Sequence, residues 1–257
     1  MRIGILGLGA VGSAIQRAFT EYTNFEIKTH DIKHNHSSIK DLLSTDFIFI
    51  CLPTELTDTN TCDTSKVENA IDELHQNNYK GIVIIKSTVI PGTTKKLLEK
   101  YNLQISFVPE FLRQRFAFED LVSDQNVLIV GTENEKTFQN VCKIHNSFIK
   151  KFKKLSPTEA ELSKYFCNTF NSVRVTFANI FYEVSAKFHC DYNQVLEAIQ
   201  DGPLYMYGDY LKCNKDLRGF SGSCLPKDLQ AFTTFLQENN LFYDLLLAAK
   251  NDNEYFK

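Results

Sequence analysis

The sequence predicts an α/β fold, a doubly wound parallel sheet covered by helices on both faces and followed by an all-helical region. Three observations predict it. Short apolar runs alternate with amphipathic stretches over the first 155 residues, the pattern of successive β-α units. A glycine-rich turn sits between the first strand and the first helix. From Ser156 onward the alternation stops and only helical periodicity remains. The expected division is therefore 1–155 and 156–257.

In order, the predicted strands are Arg2–Leu6, Phe25–His30, Phe47–Cys51, Ile82–Lys86, Ile105–Val108 and Val127–Val130. The helices between them are expected at Val11–Glu21, Ser65–Gln76, Thr93–Lys100 and Glu135–Phe148. Ser156-Pro157-Thr158-Glu159 reads as a helix start, with a serine cap, proline at the first position and glutamate at the third. A long helix should run from there to about Phe188, then a shorter one over Tyr192–Gln200. Asp201–Gly222 reads as a loop, and Pro226–Asn239 and Leu241–Tyr255 as closing helices.

Composition excludes several classes. With 43% hydrophobic and 23% charged residues and a formal net charge of −3, the chain lacks the basic excess of a general nucleic-acid binder. No apolar run reaches the roughly 20 residues a membrane span needs, and the apolar start leads into a glycine turn rather than a cleavage site. Seven cysteines, an odd number without CxxC spacing, fit a reducing, cytoplasmic setting. No His/Cys cluster has zinc-ligand spacing, so no structural metal is expected.

Gly7-Leu8-Gly9-Ala10-Val11-Gly12 is a GxGxxG turn between strand and helix. Its glycines serve a tight turn, close approach of a pyrophosphate and strand–helix packing, and the helix start offers free N–H groups to phosphates. Asp31 lies at the end of the second strand, where a carboxylate would bond ribose hydroxyls and repel a 2′-phosphate. These residues predict a Rossmann-type site for NAD. Lys33, His34 and His36 follow and would soften the preference over NADP. Pro53 and Thr54, after the third strand, and Ser87 and Thr88, after the fourth, join the expected cofactor contacts.

Three further segments carry candidate chemistry. Gly219-Phe220-Ser221-Gly222-Ser223-Cys224-Leu225-Pro226-Lys227-Asp228 delivers one cysteine to a helix start, where the dipole and nearby lysines favour the nucleophilic thiolate. Lys164 and Asn168, four apart on the long helix, share a face with Asn171 close by, and could donate to a developing oxyanion. Read alone, each segment also fits a bland role, a buried cysteine in a tight turn and a solvated helix face. Pro109-Glu110-Phe111-Leu112-Arg113-Gln114 follows a strand, at the end of the sheet where doubly wound folds bind ligands.

Together these segments resemble the UDP-glucose/GDP-mannose dehydrogenase family, whose members show GxGxxG, KST, PEFLRE, a helix with Lys and Asn four apart, and a GFGGSCxPKD loop. The order is the same here: Gly7–Gly12, Lys86–Thr88, Pro109–Gln114, Lys164 with Asn168, and Gly219–Asp228. The resemblance implies NAD-dependent oxidation of a nucleotide sugar's 6-hydroxyl to a carboxylate, with UDP-glucose as the expected substrate. It assigns Cys224 as nucleophile, Lys164 and Asn168 to the oxyanion, and Asp228 with Lys164 to the first proton transfer. Glu110 is assigned to thioester hydrolysis and Thr88 to the junction of cofactor and substrate. Glu110, Phe111, Leu112, Arg113, Lys164, Asn168, Phe220 and Gly222 would border the substrate. It also implies a homodimer formed through the central helices. The apolar stripe from Leu162 to Phe181 is compatible with that, although such a stripe more often forms intrachain core.

Gln114 stands where the family has glutamate, Ser221 replaces a glycine, and 205–210 lacks the expected upstream arginine. The family continues into a second Rossmann-like domain that clamps the nucleotide, which this sequence, ending at Lys257, is expected to lack. Three alternatives remain open on this reading: a half-enzyme completed by a separate nucleotide-binding domain, a degenerate NAD-binding scaffold, and a β-hydroxyacid dehydrogenase that needs no cysteine.

Overall fold

The computed structural model describes residues 1–33, 38–124, 126–200, 210, 212–241 and 244–256. The expectations placed on His34 and His36 and on 201–209 lie outside them, as does the side chain of Gln114. The chain forms two compact units, Met1–Glu55 with Cys62–Lys164, and Leu56–Thr61 with Tyr165–Lys257.

Unit 1 is built on a seven-stranded sheet: β1 (Arg2–Leu6), β2 (Glu26–His30), β3 (Phe47–Ile50), β4 (Ile82–Ile85), β5 (Gln104–Phe107), β6 (Val127–Gly131) and β7 (Lys151–Leu155). The order is β2-β1-β3-β4-β5-β6-β7. All neighbours are parallel except β5 and β6, which meet antiparallel at Phe107 and Gly131. The helices are α1 (Ala10–Tyr22), α2 (Ser65–Gln76), α3 (Thr93–Lys100), α4 (Ala117–Val122), α5 (Glu135–His145) and the first turns of α6 (Pro157–Lys187).

The period-two alternation of the central strands explains the two covered faces. Phe47, Phe49, Ile82 and Ile84 pack with Ile15 and Phe19 of α1 and Val141 and Ile144 of α5. Ile48, Ile50, Val83 and Ile85 point the other way, onto Val67, Ile71 and Leu74 of α2 and Leu97 of α3. Every residue of β3 and β4 is buried, as expected of strands covered on both sides.

Two elements were not expected from the sequence. β7 reads Lys-Phe-Lys-Lys-Leu, too charged to resemble a buried strand, yet it pairs with β6 over five residues. It ends the sheet order, and its lysines discourage pairing with another chain's edge. The six-residue α4 is too short for its periodicity to be read.

A buried carboxylate fixes α3. Its cap, Gly92, has no side chain, and Glu161 of α6 accepts from Gly92 N at 2.6 Å and Thr94 N at 2.7 Å. An anion on otherwise unpaired N–H groups at a helix start is the favourable placement.

His145 closes α5 inside a cage of Phe19, Phe49 and Phe148, with Nδ1 2.8 Å from the Val141 carbonyl. Burial pushes the imidazole down to about 3, so it is neutral in the folded chain near neutral pH. In the unfolded chain it takes a proton below about 6.5. Between those values the unfolded state binds more protons, so folding free energy falls as pH falls, by about 1.4 kcal/mol per pH unit. The expected cost at pH 5 is about 2 kcal/mol, and His145→Phe should flatten the acid limb of a urea-denaturation series. Equal acid slopes in variant and parent would refute the assignment.

Unit 2 comprises the rest of α6 with α7 (Tyr192–Gln200), α8 (Leu225–Glu238) and α9 (Asp244–Phe256). The expected capping box at the start of α6 is present in unit 1: Ser156 N donates to Glu159 Oε2, and Glu159 N to Ser156 Oγ. Within unit 2, Tyr165 stacks on Phe232, and the Thr176 hydroxyl donates to the Ala249 carbonyl. Along α6 the sides are inverted relative to an ordinary surface helix. Lys164, Asn168, Ser172 and Asn179 are buried, whereas Phe166, Phe170, Phe177 and Phe181 are exposed, Phe166 by 74%. The stripe expected more often as intrachain core is therefore on the surface. Among the described residues no helix is long and apolar enough to cross a membrane.

Candidate active site

Strand order reverses direction between β1 and β3, and doubly wound sheets bind ligands at the carboxyl ends of such strands. The glycine turn leaves β1 there. Gly7 has φ +94°, and a Cβ on Gly12 would lie 1.9 Å from the Gly7 carbonyl oxygen. Only glycine permits so close a crossing of turn and helix. Over Gly9 nothing lies within 4 Å of an added Cβ, and this residue caps α1 without a side-chain bond. No side chain caps the start of α1, and Gly9 and Ala10 are exposed there. Asp31, at the end of β2, accepts from Leu8 N and Lys33 N, each at 2.7 Å. The carboxylate is thereby tied to the glycine turn itself. An uncapped helix start, an open approach and a carboxylate at the second strand's end fit a dinucleotide.

Of the other expected cofactor contacts, Pro53 is exposed and Thr54 buried. Ser87 is committed structurally: its hydroxyl donates to the Leu52 carbonyl at 2.7 Å, tying the ends of β3 and β4. Thr88, half-buried beside it, accepts through its carbonyl from Cys62 Sγ.

The Pro109–Arg113 segment follows β5, and two lysines converge on it. Lys164 Nζ donates to the Glu110 carbonyl at 2.7 Å and approaches Glu110 Oε1 at 3.3 Å. Its side chain and that of Glu110 are only 7% and 12% exposed. Glu110 Oε2 accepts from Leu112 N, and the Phe111 ring centroid lies 5.9 Å from Lys164 Nζ. Lys86 Nζ donates to the Pro109 carbonyl at 3.3 Å. Burial pulls Lys86 down to about 8 and pushes the neighbouring Cys51 thiol up to about 12. Arg113, expected beside substrate, forks onto Asp120 through Nε at 3.0 Å and Nη2 at 2.8 Å.

In unit 2, Asn168 Nδ2 donates to Asp228 Oδ2 at 2.5 Å, both side chains buried. Asp228 Oδ1 forms an ion pair with Lys227 Nζ at 2.7 Å, without hydrogen-bond geometry. Cys224 is the N-cap of α8 and exposed, with Pro226 in the first turn and Asp228 N bonded to the Cys224 carbonyl. Its Sγ has Ser223 Oγ at 3.6 Å. Gly219 and Gly222 take positive φ, +59° and +82°, which gives the cysteine loop its shape. The loop is tied by its backbone: Asn253 accepts from Phe220 N and donates to the Phe220 carbonyl, and Asn179 accepts from Gly219 N and Arg218 Nε.

The sequence reading gave no role to Lys86, Glu161, Asn179 or Asn253. Three of them carried a usable signal. Glu161, Lys164, Asn168, Ser172 and Asn179 recur at helical spacing on a helix rich in phenylalanine, so a polar row was legible beside the apolar one. Lys86 directly follows an apolar strand, a position that buries an ammonium. Nothing in the sequence pointed to Asn253.

Comparisons with known proteins follow this geometry. Residues 20–149 match the model of the UDP-glucose/GDP-mannose dehydrogenase family's NAD-binding domain, and 158–255 match that of its central domain. A UDP-glucose 6-dehydrogenase of Campylobacter jejuni is 30% identical, covering 100% of this chain and 73% of its own length. A UDP-N-acetyl-D-mannosamine dehydrogenase of Pyrococcus horikoshii is 27% identical, covering 99% of this chain and 68% of its own. A UDP-glucose dehydrogenase structure from Pyrobaculum islandicum shares the fold, with a TM-score of 0.86 at 23% identity over 99% of this chain and 68% of that one. Of another curated relative, a UDP-glucose 6-dehydrogenase of Rickettsia felis, the chain spans 53%. The NAD-binding match begins within α1, just after the glycine turn, and the chain belongs to the UDP-glucose/GDP-mannose dehydrogenase family.

Proposed function

We propose that this chain carries the catalytic machinery of an NAD-dependent nucleotide-sugar 6-dehydrogenase, with UDP-glucose as substrate. The observation that supports it most is pairwise. Lys164 is joined to Glu110 and Asn168 to Asp228, so four expected catalytic side chains form polar pairs, three of them buried and Glu110 nearly so, instead of lying on a solvated helix face. Residues 1–155 would hold the cofactor and 156–257 would supply most of the reactive groups.

NAD, held by Gly7–Gly12 and Asp31, supplies the acceptor for two hydrides when bound. Asp228 takes part with Lys164 in removing the proton of the 6-hydroxyl. The Cys224 sulfur then attacks the resulting aldehyde carbon to give a thiohemiacetal, whose oxyanion is stabilised by the Lys164 ammonium and the Asn168 amide. The second oxidation leaves a thioester. Glu110 takes a proton from water, which adds to the thioester carbonyl and releases the Cys224 thiol and the carboxylate product. Thr88 would stand at the junction of cofactor and substrate, and Phe111, Leu112, Arg113, Phe220 and Gly222 would border the sugar nucleotide. Arg113 would have to leave Asp120 to touch it.

The exposed phenylalanine row of α6 supports a homodimer, and seven free cysteines accord with the cytoplasm. The test is NADH formation by the purified chain across a panel of UDP- and GDP-sugars. The expected result is two NADH per UDP-glucose, with UDP-glucuronate as product. NAD binding without turnover on any sugar would overturn the proposal for the chain acting alone.

A further inference from the structure

Lys86 has no place in the chemistry above, yet it is buried at the carboxyl end of β4 and aimed at the segment that carries Glu110. Among the described residues no carboxylate lies within ion-pair distance of its ammonium. Its one hydrogen bond goes to the Pro109 carbonyl, while Lys164 holds the next carbonyl, that of Glu110. Two ammonium groups from β4 and α6 thus grip adjacent carbonyls of one turn, with a single carboxylate, Glu110, to balance them. Glycine or proline would shape a turn without burying two cations, so a purely structural clamp is an expensive use of lysine.

On the reading of Glu110 given above, we propose that Lys86 is a positioning residue that fixes the Glu110 turn and, by its charge, sets how strongly Glu110 acts as a base. The charged or titratable groups facing it are Glu110 after β5, Cys51 after β3, Lys164 on α6 and His145 on α5. Burial, opposed mainly by Glu110, brings its proton loss to about pH 8, while Cys51 stays a neutral thiol. Below that pH two cations lie near one carboxylate, and above it one remains.

The experiment uses the whole chain with carbon-13 at the lysine ε position, titrated by NMR, with the Lys86 signal assigned by its loss in Lys86→Arg. Lys86 is expected to titrate well below the other lysines. Glu110→Gln should lower its midpoint by about one further pH unit, because the opposing carboxylate is gone. Coupling between two charges is reciprocal, so a lysine whose charge does not act on Glu110 would not move when Glu110 is neutralised, and an unmoved midpoint overturns the proposal. This readout needs no turnover, so it separates failure here from failure of the dehydrogenase reading. Where turnover is measurable, acid formation in the parent should rise across Lys86's titration. Lys86→Arg, permanently charged, should lose that rise, and an unchanged profile would also count against the inference.

Discussion

Cys224→Ser is expected to abolish formation of the sugar acid while leaving the fold intact. The side chain is exposed at the cap of α8 and bonds only weakly to its neighbour Ser223, so its loss leaves no cavity. The melting temperature should stay within about 2 °C of the parent. Serine is a far weaker nucleophile at neutral pH, and removal of a covalent nucleophile costs at least roughly a thousandfold. On the proposed route the first oxidation does not use sulfur, so aldehyde should be trappable by a hydroxylamine or hydrazide probe in the variant, with acid absent by mass spectrometry. Acid produced at a rate near the parent's would rule out the thioester route and favour a hydroxyacid-type dehydrogenase.

Gly12→Ala is expected to have the next largest effect, on cofactor binding. The new methyl would sit 1.9 Å from the Gly7 carbonyl oxygen, so turn and helix must part. Overpacking of that kind costs about 1–3 kcal/mol of stability. Displacing the N–H groups of α1 from the phosphates should weaken NAD at least about tenfold, or about 1.4 kcal/mol. Gly9→Ala is the informative partner. It meets nothing within 4 Å in the folded chain, so stability should hold while NAD affinity falls through contact with the pyrophosphate. Calorimetric titration with NAD and thermal melts of both variants check this. Normal NAD affinity in both would show that the dinucleotide does not lie over the turn.

How far the sequence could be read depended on how local the governing interactions are. Ser65–Gln76, Thr93–Lys100 and Tyr192–Gln200 were read to the residue, because each is amphipathic between clear stops. β7 escaped because an edge strand needs only one apolar face, and its lysines mask even that. The glycine turn and cysteine loop were legible as motifs, since their backbone geometry demands particular residues. Pairings such as Glu161 with the start of α3, 67 residues away in the chain, are products of the fold, and no spacing rule encodes them. The inverted faces of α6 illustrate the same limit: periodicity locates two stripes but does not say which one the protein hides.

One consequence follows for anyone isolating the nucleotide-binding half. The border between the compact units falls within α6, after Lys164, and no linker separates them. Cutting where the alternating β-α pattern ends, after Leu155, would remove Glu161 and Lys164 with the discarded piece. The fragment would lose the anion that seats α3 and the cation that grips Glu110. A self-sufficient fragment must keep the first two turns of that helix, and so carries the start of its buried polar row with it.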